Sequence, residues 1–195
     1  MECLSRVTPG AFAKSIKQCV LLRELHVRSC VCLTVESVIG AFEAHGDALR
    51  ALDMSDVACD NDLLGAVATV CPNLERLWLG AVGVAMCIPA SHAVSDVGLE
   101  TALGMGWKGL KDVRIARLDS VTEAALVLLV DANRASLEEF EVAAMPHAGK
   151  AGHLLSALAK CTRLRIVNLF NAGVVEGDCG ELQAVLPNLV LNVTP

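Results

Sequence analysis

Leucine and related apolar residues return along this chain in the pattern L-x-x-L-x-L. Six copies and an imperfect seventh begin at Leu22, Leu49, Leu74, Leu110, Leu137, Leu164 and Leu189. Their starts lie 27, 25, 36, 27, 27 and 25 residues apart, and intervals of roughly 20 to 29 residues are typical of short stacked units. An insertion at residues 82–95 accounts for the one long interval. Because a unit of this length cannot bury its own leucines, the pattern requires neighbouring units to pack against one another.

Each copy is preceded by a segment with helical periodicity. Apolar residues recur there every three or four positions, as at Leu99 and Leu103, whereas the copies themselves alternate with a period of two. The expected helix starts are Thr8-Pro9 for the first helix, Thr34 for the second, Ser95-Asp96 for the fourth, and a capping box at Ser120-x-x-Glu123 for the fifth. Strand and helix therefore alternate along the chain.

This alternation predicts an α/β fold, built as one solenoid domain over residues 1–195. We expect a right-handed β-α superhelix in which about six to seven parallel strands line the concave face and helices cover the convex face. The leucines of each copy pack inward. The residues between them alternate outward along each strand.

Three fragments carry a resemblance to a known family. CPNLERLWL (residues 71–79), SDVGLETAL (residues 95–103) and SVTEAALVLL (residues 120–129) resemble the cysteine-containing, ribonuclease-inhibitor-like class of leucine-rich repeats, as in the repeat portions of F-box proteins. The resemblance extends from about Pro9 to Val193 and implies a scaffold that holds a partner without identifying it. No F-box-like segment precedes the first copy.

Composition favours a folded, acidic, intracellular chain. Hydrophobic residues make up 54% and charged residues 19%, so most of the chain must be buried. A net charge of -6 without a Lys/Arg cluster argues against a nucleic-acid partner. Nine cysteines without a secretory signal indicate reduced thiols in the cytoplasm, with the nucleus or an organelle as alternatives. The uncharged stretch at residues 77–94 contains Pro89 and His92 and keeps the strand phase, so no membrane span is expected.

The cysteines follow the repeat and do not predict a metal site. Each of Cys19, Cys71 and Cys161 lies three residues before a leading Leu, and Cys30 lies in the apolar position after a strand. These four are expected to be buried core residues. Three others, Cys59, Cys87 and Cys179, fall in variable loops and are expected to be more exposed.

No catalytic residue or cofactor is predicted either. The run from Gly104 to Gly109 matches G-x-G-x-x-G, but it closes a helix where a dinucleotide-binding motif would open one. Its glycines are expected to end the helix and form a tight turn. Ser91-His92 and Ser95-Asp96 are close in sequence at the insertion, without the supporting geometry that a nucleophile and base require.

The predicted concave face is the candidate site for a protein partner. Its central outward positions are His26, Asp53, Trp78, Arg114, Glu141 and Asn168. Trp78, flanked by Arg76 and Arg114, combines residue types that are enriched in binding hot spots, and Phe170 is a second apolar position. In an alternative arrangement the two arginines pair with Asp53, Asp112 and Glu141 on neighbouring strands, and Trp78 only covers Gly80 and Ser55.

The insertion is a second candidate site, because it is apolar where loops are usually polar. Its residues Met86, Cys87, Ile88 and Pro89 are candidates for a partner contact. The alternative is that this loop folds back over a helix end.

These features predict a non-enzymatic scaffold or adaptor subunit of a larger complex, which binds an unidentified protein partner. The alternative is the substrate-recognition component of a ubiquitin-ligase-type complex. The last copy, Leu189 to Val193, is expected to leave a strand edge unprotected. End-to-end packing in an assembly is therefore also predicted.

Overall fold

The computed structural model describes residues 7–30, 33–43, 45–81, 93–145 and 152–194. Within these ranges, α-helices and strands alternate along the chain. The helices are α1 (Pro9–Lys17), α2 (Val35–Phe42), α3 (Asn61–Val70), α4 (Asp96–Met105), α5 (Glu123–Asn133), α6 (Gly152–Leu158) and α7 (Gly180–Val185). The strands are β1 (Glu24–His26), β2 (Ala51–Ser55), β3 (Arg76–Gly80), β4 (Asp112–Ala116), β5 (Glu139–Ala143), β6 (Ile166–Phe170) and β7 (Val190–Thr194). Short 3-10 turns lie at Gly46–Ala48 and Glu176–Cys179.

All seven strands form one parallel sheet in chain order, from β1 to β7. Each strand pairs only with its neighbours in sequence, and the register aligns equivalent positions of the L-x-x-L-x-L pattern. Leu52 lies opposite Leu77, for example, and Leu77 opposite Val113. The predicted α/β class and the parallel sheet of about seven strands are thus confirmed.

The core lies between the sheet and the row of helices. Each helix contacts the next one along the chain, so the helices cover one face of the sheet. The second and fourth residues of the strands point into this layer, as Leu77 and Leu79 do on β3, both at 1% exposure. Burying one such side chain contributes roughly 1.5–3 kcal/mol. The opposite face, formed by the first, third and fifth residues of the strands, is called the open face below.

A left-handed backbone residue follows the strands at a recurring position. Ser29, Asp56, Arg117, Ala144 and Asn171 have φ angles of 56°, 58°, 53°, 51° and 48°. On β3 the positive φ falls one residue earlier, at Gly80, with φ 94°. A Cβ there would lie 1.7 Å from the carbonyl oxygen of Ala116, so only glycine fits where β3 approaches β4.

Three of the four predicted helix starts are confirmed. The hydroxyl of Thr8 accepts a hydrogen bond from the Ala11 amide, and Thr34 forms a capping box with Ser37. Ser95 precedes α4 as its N-cap residue. The predicted capping box at Ser120 is wrong, because α5 begins two residues later behind Thr122.

The glycine-rich run ends a helix, as predicted. Helix α4 stops at Met105, and Gly106 follows with φ 141°. Trp107 then turns into the core, where it is completely buried, and its Nε1 donates a hydrogen bond to the carbonyl oxygen of Cys71 at 3.2 Å.

The cysteine predictions are correct in part. Cys30, Cys71 and Cys161 are buried, as predicted. Cys19 is exposed, because it lies in the turn after α1 instead of inside the helix layer. Two loop cysteines, Cys59 and Cys179, are buried at 2% and 0% exposure, contrary to the prediction, because both belong to the hydrophobic core.

The candidate loop residues Met86, Cys87, Ile88 and Pro89 lie outside the described residues, as does most of the insertion. Across the described ranges, no helix combines the length and hydrophobicity needed to cross a membrane.

Candidate functional site

The open face presents three rows of side chains, one position per strand. The register brings His26, Asp53, Trp78, Arg114, Glu141 and Asn168 into the central row, in the predicted order. The row on one side contains Glu24, Ala51, Arg76, Asp112, Glu139 and Ile166. The row on the other side contains Ser55, Gly80, Ala116, Ala143 and Phe170.

Trp78 lies at the centre of this face, held between two side chains. The Arg114 guanidinium carbon is 4.7 Å from the centre of the indole ring. On the other side the ring of His26 lies at a centroid distance of 5.4 Å. The indole Nε1 donates a hydrogen bond to Asp112 Oδ2 at 3.1 Å. The half-buried ring is therefore fixed in place by a cation-π contact, a ring contact and a hydrogen bond.

Asp53 is buried, although the sequence predicted it as an exposed contact residue. It lies on β2 between His26 and Trp78, and its side chain is only 7% exposed. Its Oδ1 accepts a hydrogen bond from the Ser55 amide at 2.9 Å, and its Oδ2 lies 3.5 Å from His26 Nδ1. The Arg28 Nε is 4.0 Å away. Asp53 therefore stabilises this part of the open face from beneath its surface and is not available for direct contact with a partner.

Arg114 gathers three acidic side chains around one guanidinium group. Its Nε and Nη2 donate to Asp112 at 3.1 and 3.2 Å, and Nη2 also reaches Glu139 at 3.4 Å. Desolvation by itself would lower the pKa of Arg114, but the hydrogen bond and charge of Asp112, with the charges of Glu141 and Glu139, raise it above its ordinary value. The guanidinium is therefore permanently charged and firmly held.

Of the ion pairs in the predicted alternative arrangement, the one between Arg114 and Asp112 is present, whereas Arg76 has a different partner. Arg76 pairs with Glu24, two strands away, instead of Asp53 or Asp112. Arg114 hydrogen bonds to Asp112 and Glu139, and it interacts with Glu141 only through charge. A shallow depression of about 480 Å³ opens beside Trp78, lined by Glu75, Arg76, Trp78, Lys111, Asp112, Arg114, Glu138 and Glu139.

The part of the open face on β6 and β7 is mostly uncharged. Asn192 Nδ2 donates to Asn168 Oδ1 at 2.8 Å, and Asn168 Nδ2 donates to Glu141 Oε2 at 3.0 Å. This chain of amides fixes the Glu141 carboxylate. Ile166 and Phe170, on either side of Asn168, are half-buried apolar side chains.

Three of the buried thiols offer little chemistry at neutral pH. Burial raises the pKa of Cys59 and Cys71 to about 12 and that of Cys161 to about 11. Since the thiolate is the reactive form, these three side chains are core residues and not nucleophiles. Among the described residues, no group of three or more His, Cys, Asp or Glu side chains could hold a metal ion.

Two acidic residues outside the predicted partner-binding set complete the site, and one of them, Asp112, was predicted only as an ion-pair partner of the arginines. Asp112 receives the indole N–H and binds Arg114, and Glu139 extends the same network to β5. Both belong to the outward row next to the predicted central row. The sequence could also have placed Asp112 in the partner-binding set, because Asp112 and Arg114 are two residues apart on one strand and share a face.

Comparisons with known proteins do not identify a family. No protein-family model matches the chain, and no curated protein matches it. Among solved structures, the chain is similar to actin-binding site 2 of leiomodin-1, with 13% identity and a TM-score of 0.47 over 91% of this chain and 86% of that one. A likeness at this level carries no conclusion about function.

Proposed function

We propose that this chain is a leucine-rich-repeat solenoid and serves as a non-enzymatic scaffold or adaptor subunit that binds another protein on the open face of its sheet. The repeating pattern and the chain-order pairing of seven parallel strands support the solenoid. A sheet with helices on one side leaves its other side available for recognition. The resemblance to ribonuclease-inhibitor-like repeats supports the same assignment.

The clamped Trp78 is the observation that carries this proposal. A tryptophan held between His26 and Arg114 loses little conformational entropy when a partner covers it. Trp and Arg are the residue types most enriched in binding hot spots. The charged side chains around the depression would form a polar rim around such a contact.

Affinity purification from the native cell with mass spectrometry tests this function. Wild type should recover a specific partner, whereas Trp78→Ala and Arg114→Ala should each reduce its yield by about tenfold or more. Val97→Ala is the matched control, because Val97 is 65% exposed on α4, away from the open face. Circular dichroism should show that all the variants are folded.

Full recovery of every partner by both open-face variants would contradict the proposed site. If the specific partner belongs to a ubiquitin ligase, the chain is a recognition subunit of that complex. A partner that binds through the open face without such machinery identifies an independent adaptor.

A further inference from the structure

The network around Arg114 contains more negative than positive charge. Asp112, Glu139 and Glu141 all interact with this one guanidinium. Carboxylates are ionised at neutral pH, so the three acids and one base leave an excess of two negative charges. Asp112 is mostly covered, with 11% exposure, whereas the Glu139 side chain is 40% exposed. The excess charge is therefore accessible mainly on β5, at Glu139 and the half-buried Glu141.

Within the part of the chain that the structure describes, the nearby cations pair with other acids and do not neutralise this excess. On the β3 side, Arg76 pairs with Glu24. Lys111, the residue before β4, pairs with Glu75 at 2.8 Å, and Arg165, the residue before β6, lies 4.0 Å from Glu138.

The open-face strand positions on the β6 side are uncharged. The open-face positions of β6 that pair with β5 are Ile166, Asn168 and Phe170, and those of β7 are Val190, Asn192 and Thr194. Acidic and apolar side chains therefore lie next to each other, on adjacent strands that are roughly 5 Å apart.

We infer that the β5–β6 part of the open face binds an extended segment of a partner protein that carries an arginine or lysine next to an aliphatic side chain. The cationic group pairs with Glu139 and Glu141, and the aliphatic group covers Ile166 and Phe170. Glu141 is already held by Asn168 at 3.0 Å, so the carboxylate is oriented before the partner arrives. This inference rests on the proposed function and specifies the partner's chemistry.

Fluorescence anisotropy with labelled peptides tests the inference directly. In an extended peptide of repeating Arg-Ser-Leu-Ser, every second side chain faces the same way, so arginine and leucine alternate on one side. This peptide should bind the full chain at low salt, and the same peptide with glutamine or glutamate in place of arginine should bind about tenfold more weakly or not at all.

A matched pair of double variants separates a local site from the net acidity of the chain. Glu139→Gln with Glu141→Gln should weaken binding of the arginine peptide by about tenfold or more. Glu43→Gln with Glu100→Gln removes the same charge from exposed positions outside the sheet and should change affinity less than twofold. Equal losses in both pairs would show unspecific attraction to an acidic protein and overturn the inference.

Three further results would also overturn it: no measurable binding of the arginine peptide, equal binding of the glutamine peptide, or preference for the glutamate peptide.

The cellular experiment separates failure of this inference from failure of the proposed function. If Trp78→Ala loses the native partner and the Glu139/Glu141 variant keeps it, the open face is a binding site but its partner does not use a basic segment there.

Discussion

Asn133, the last residue of α5, links a helix end to the turn before β4. It is 1% exposed. Its Oδ1 accepts a hydrogen bond from the Leu110 amide at 2.8 Å, and its Nδ2 donates to the carbonyl oxygens of Trp107 and Leu129 at 3.2 and 2.9 Å. All these backbone groups are buried away from water, so the amide satisfies groups that would otherwise be costly to bury.

Asn133→Ala should therefore destabilise the protein by about 3 kcal/mol, because it leaves a buried N–H and a buried C=O without partners. Urea unfolding followed by circular dichroism measures this loss. Asn73→Ala is the control, since Asn73 makes one exposed hydrogen bond, to the Asp47 carbonyl oxygen, and should cost less than about 1 kcal/mol. Similar losses in the two variants would contradict this role for Asn133.

Single residues also show where sequence patterns stop being informative. The pattern predicted which side chains face the core, but not that Arg117 and Ala144 adopt a left-handed backbone. Both residue types disfavour that conformation, so local propensity gives no indication of it. Tertiary structure imposes it, since the Arg117 amide must reach the Ala143 carbonyl oxygen and the Ala144 amide that of Phe170.

At the scale of elements, the first residue of one helix binds the start of the next. Asn61 at the start of α3 accepts a hydrogen bond from the Ser95 amide at 2.9 Å. Asp96 at the start of α4 accepts from the amide and hydroxyl of Thr122, both at 2.7 Å. Glu123 at the start of α5 accepts from the amides at residues 153 and 154. These bonds satisfy free helix N–H groups across neighbouring units.

Asp96→Ala should destabilise the protein by about 1 kcal/mol, because Thr122 loses the acceptor for its amide and hydroxyl. Thermal unfolding of variant and wild type measures the loss. Asp62→Ala is the matched control. Asp62 lies in the first turn of α3 with an exposed side chain, so the substitution removes only the favourable interaction of a carboxylate with the helix dipole. If Asp62→Ala lowers the melting temperature as much as Asp96→Ala, the link between α4 and α5 contributes nothing.

Helices and strands were easier to predict from the sequence than the hydrogen bonds that join them. Strands and helices were located correctly because burial imposes periods of two and 3.6 directly on the apolar residues. The capping box at Ser120 failed because Ser120 instead forms a β-bridge with Ser95, and the amide of Thr122 is satisfied by Asp96. A cap supplied by another helix leaves no local pattern in the sequence.

At the scale of the whole molecule, the residues of the open face could be predicted from the sequence, but the contacts between their side chains could not. Register follows from the repeated pattern, so the central row from His26 to Asn168 could be listed strand by strand. The pairing of side chains could not be predicted in this way, because Arg76 on β3 pairs with Glu24 on β1, past the adjacent strand β2. The burial of Asp53 was also missed, since it depends on the ring contact between His26 and Trp78 on the flanking strands.

Buried cysteines along the chain make the continuity of the core measurable. Cys59 and Cys71 lie in the unit that begins at Leu49, Cys161 lies in the unit that begins at Leu137, and all three belong to one core cluster. Their thiols have pKa values raised to about 12, 12 and 11 by burial. In the unfolded chain such thiols ionise near their ordinary value of 9.0. The folded state therefore binds more protons above that value, and its stability should fall as the pH rises through it.

Alkylation by iodoacetamide at pH 8, read out by peptide mass spectrometry, should accordingly modify Cys19 before Cys59, Cys71 and Cys161. Cys19 is exposed, whereas Cys59, Cys71 and Cys161 are both covered and protonated. The three buried thiols should react only when urea unfolds the chain, and together if the core opens as one unit. Cys161→Ala serves as a check that one buried thiol can be removed without exposing the others. Reaction of Cys71 as fast as Cys19 in the native protein would mean that neighbouring units do not share a continuous core.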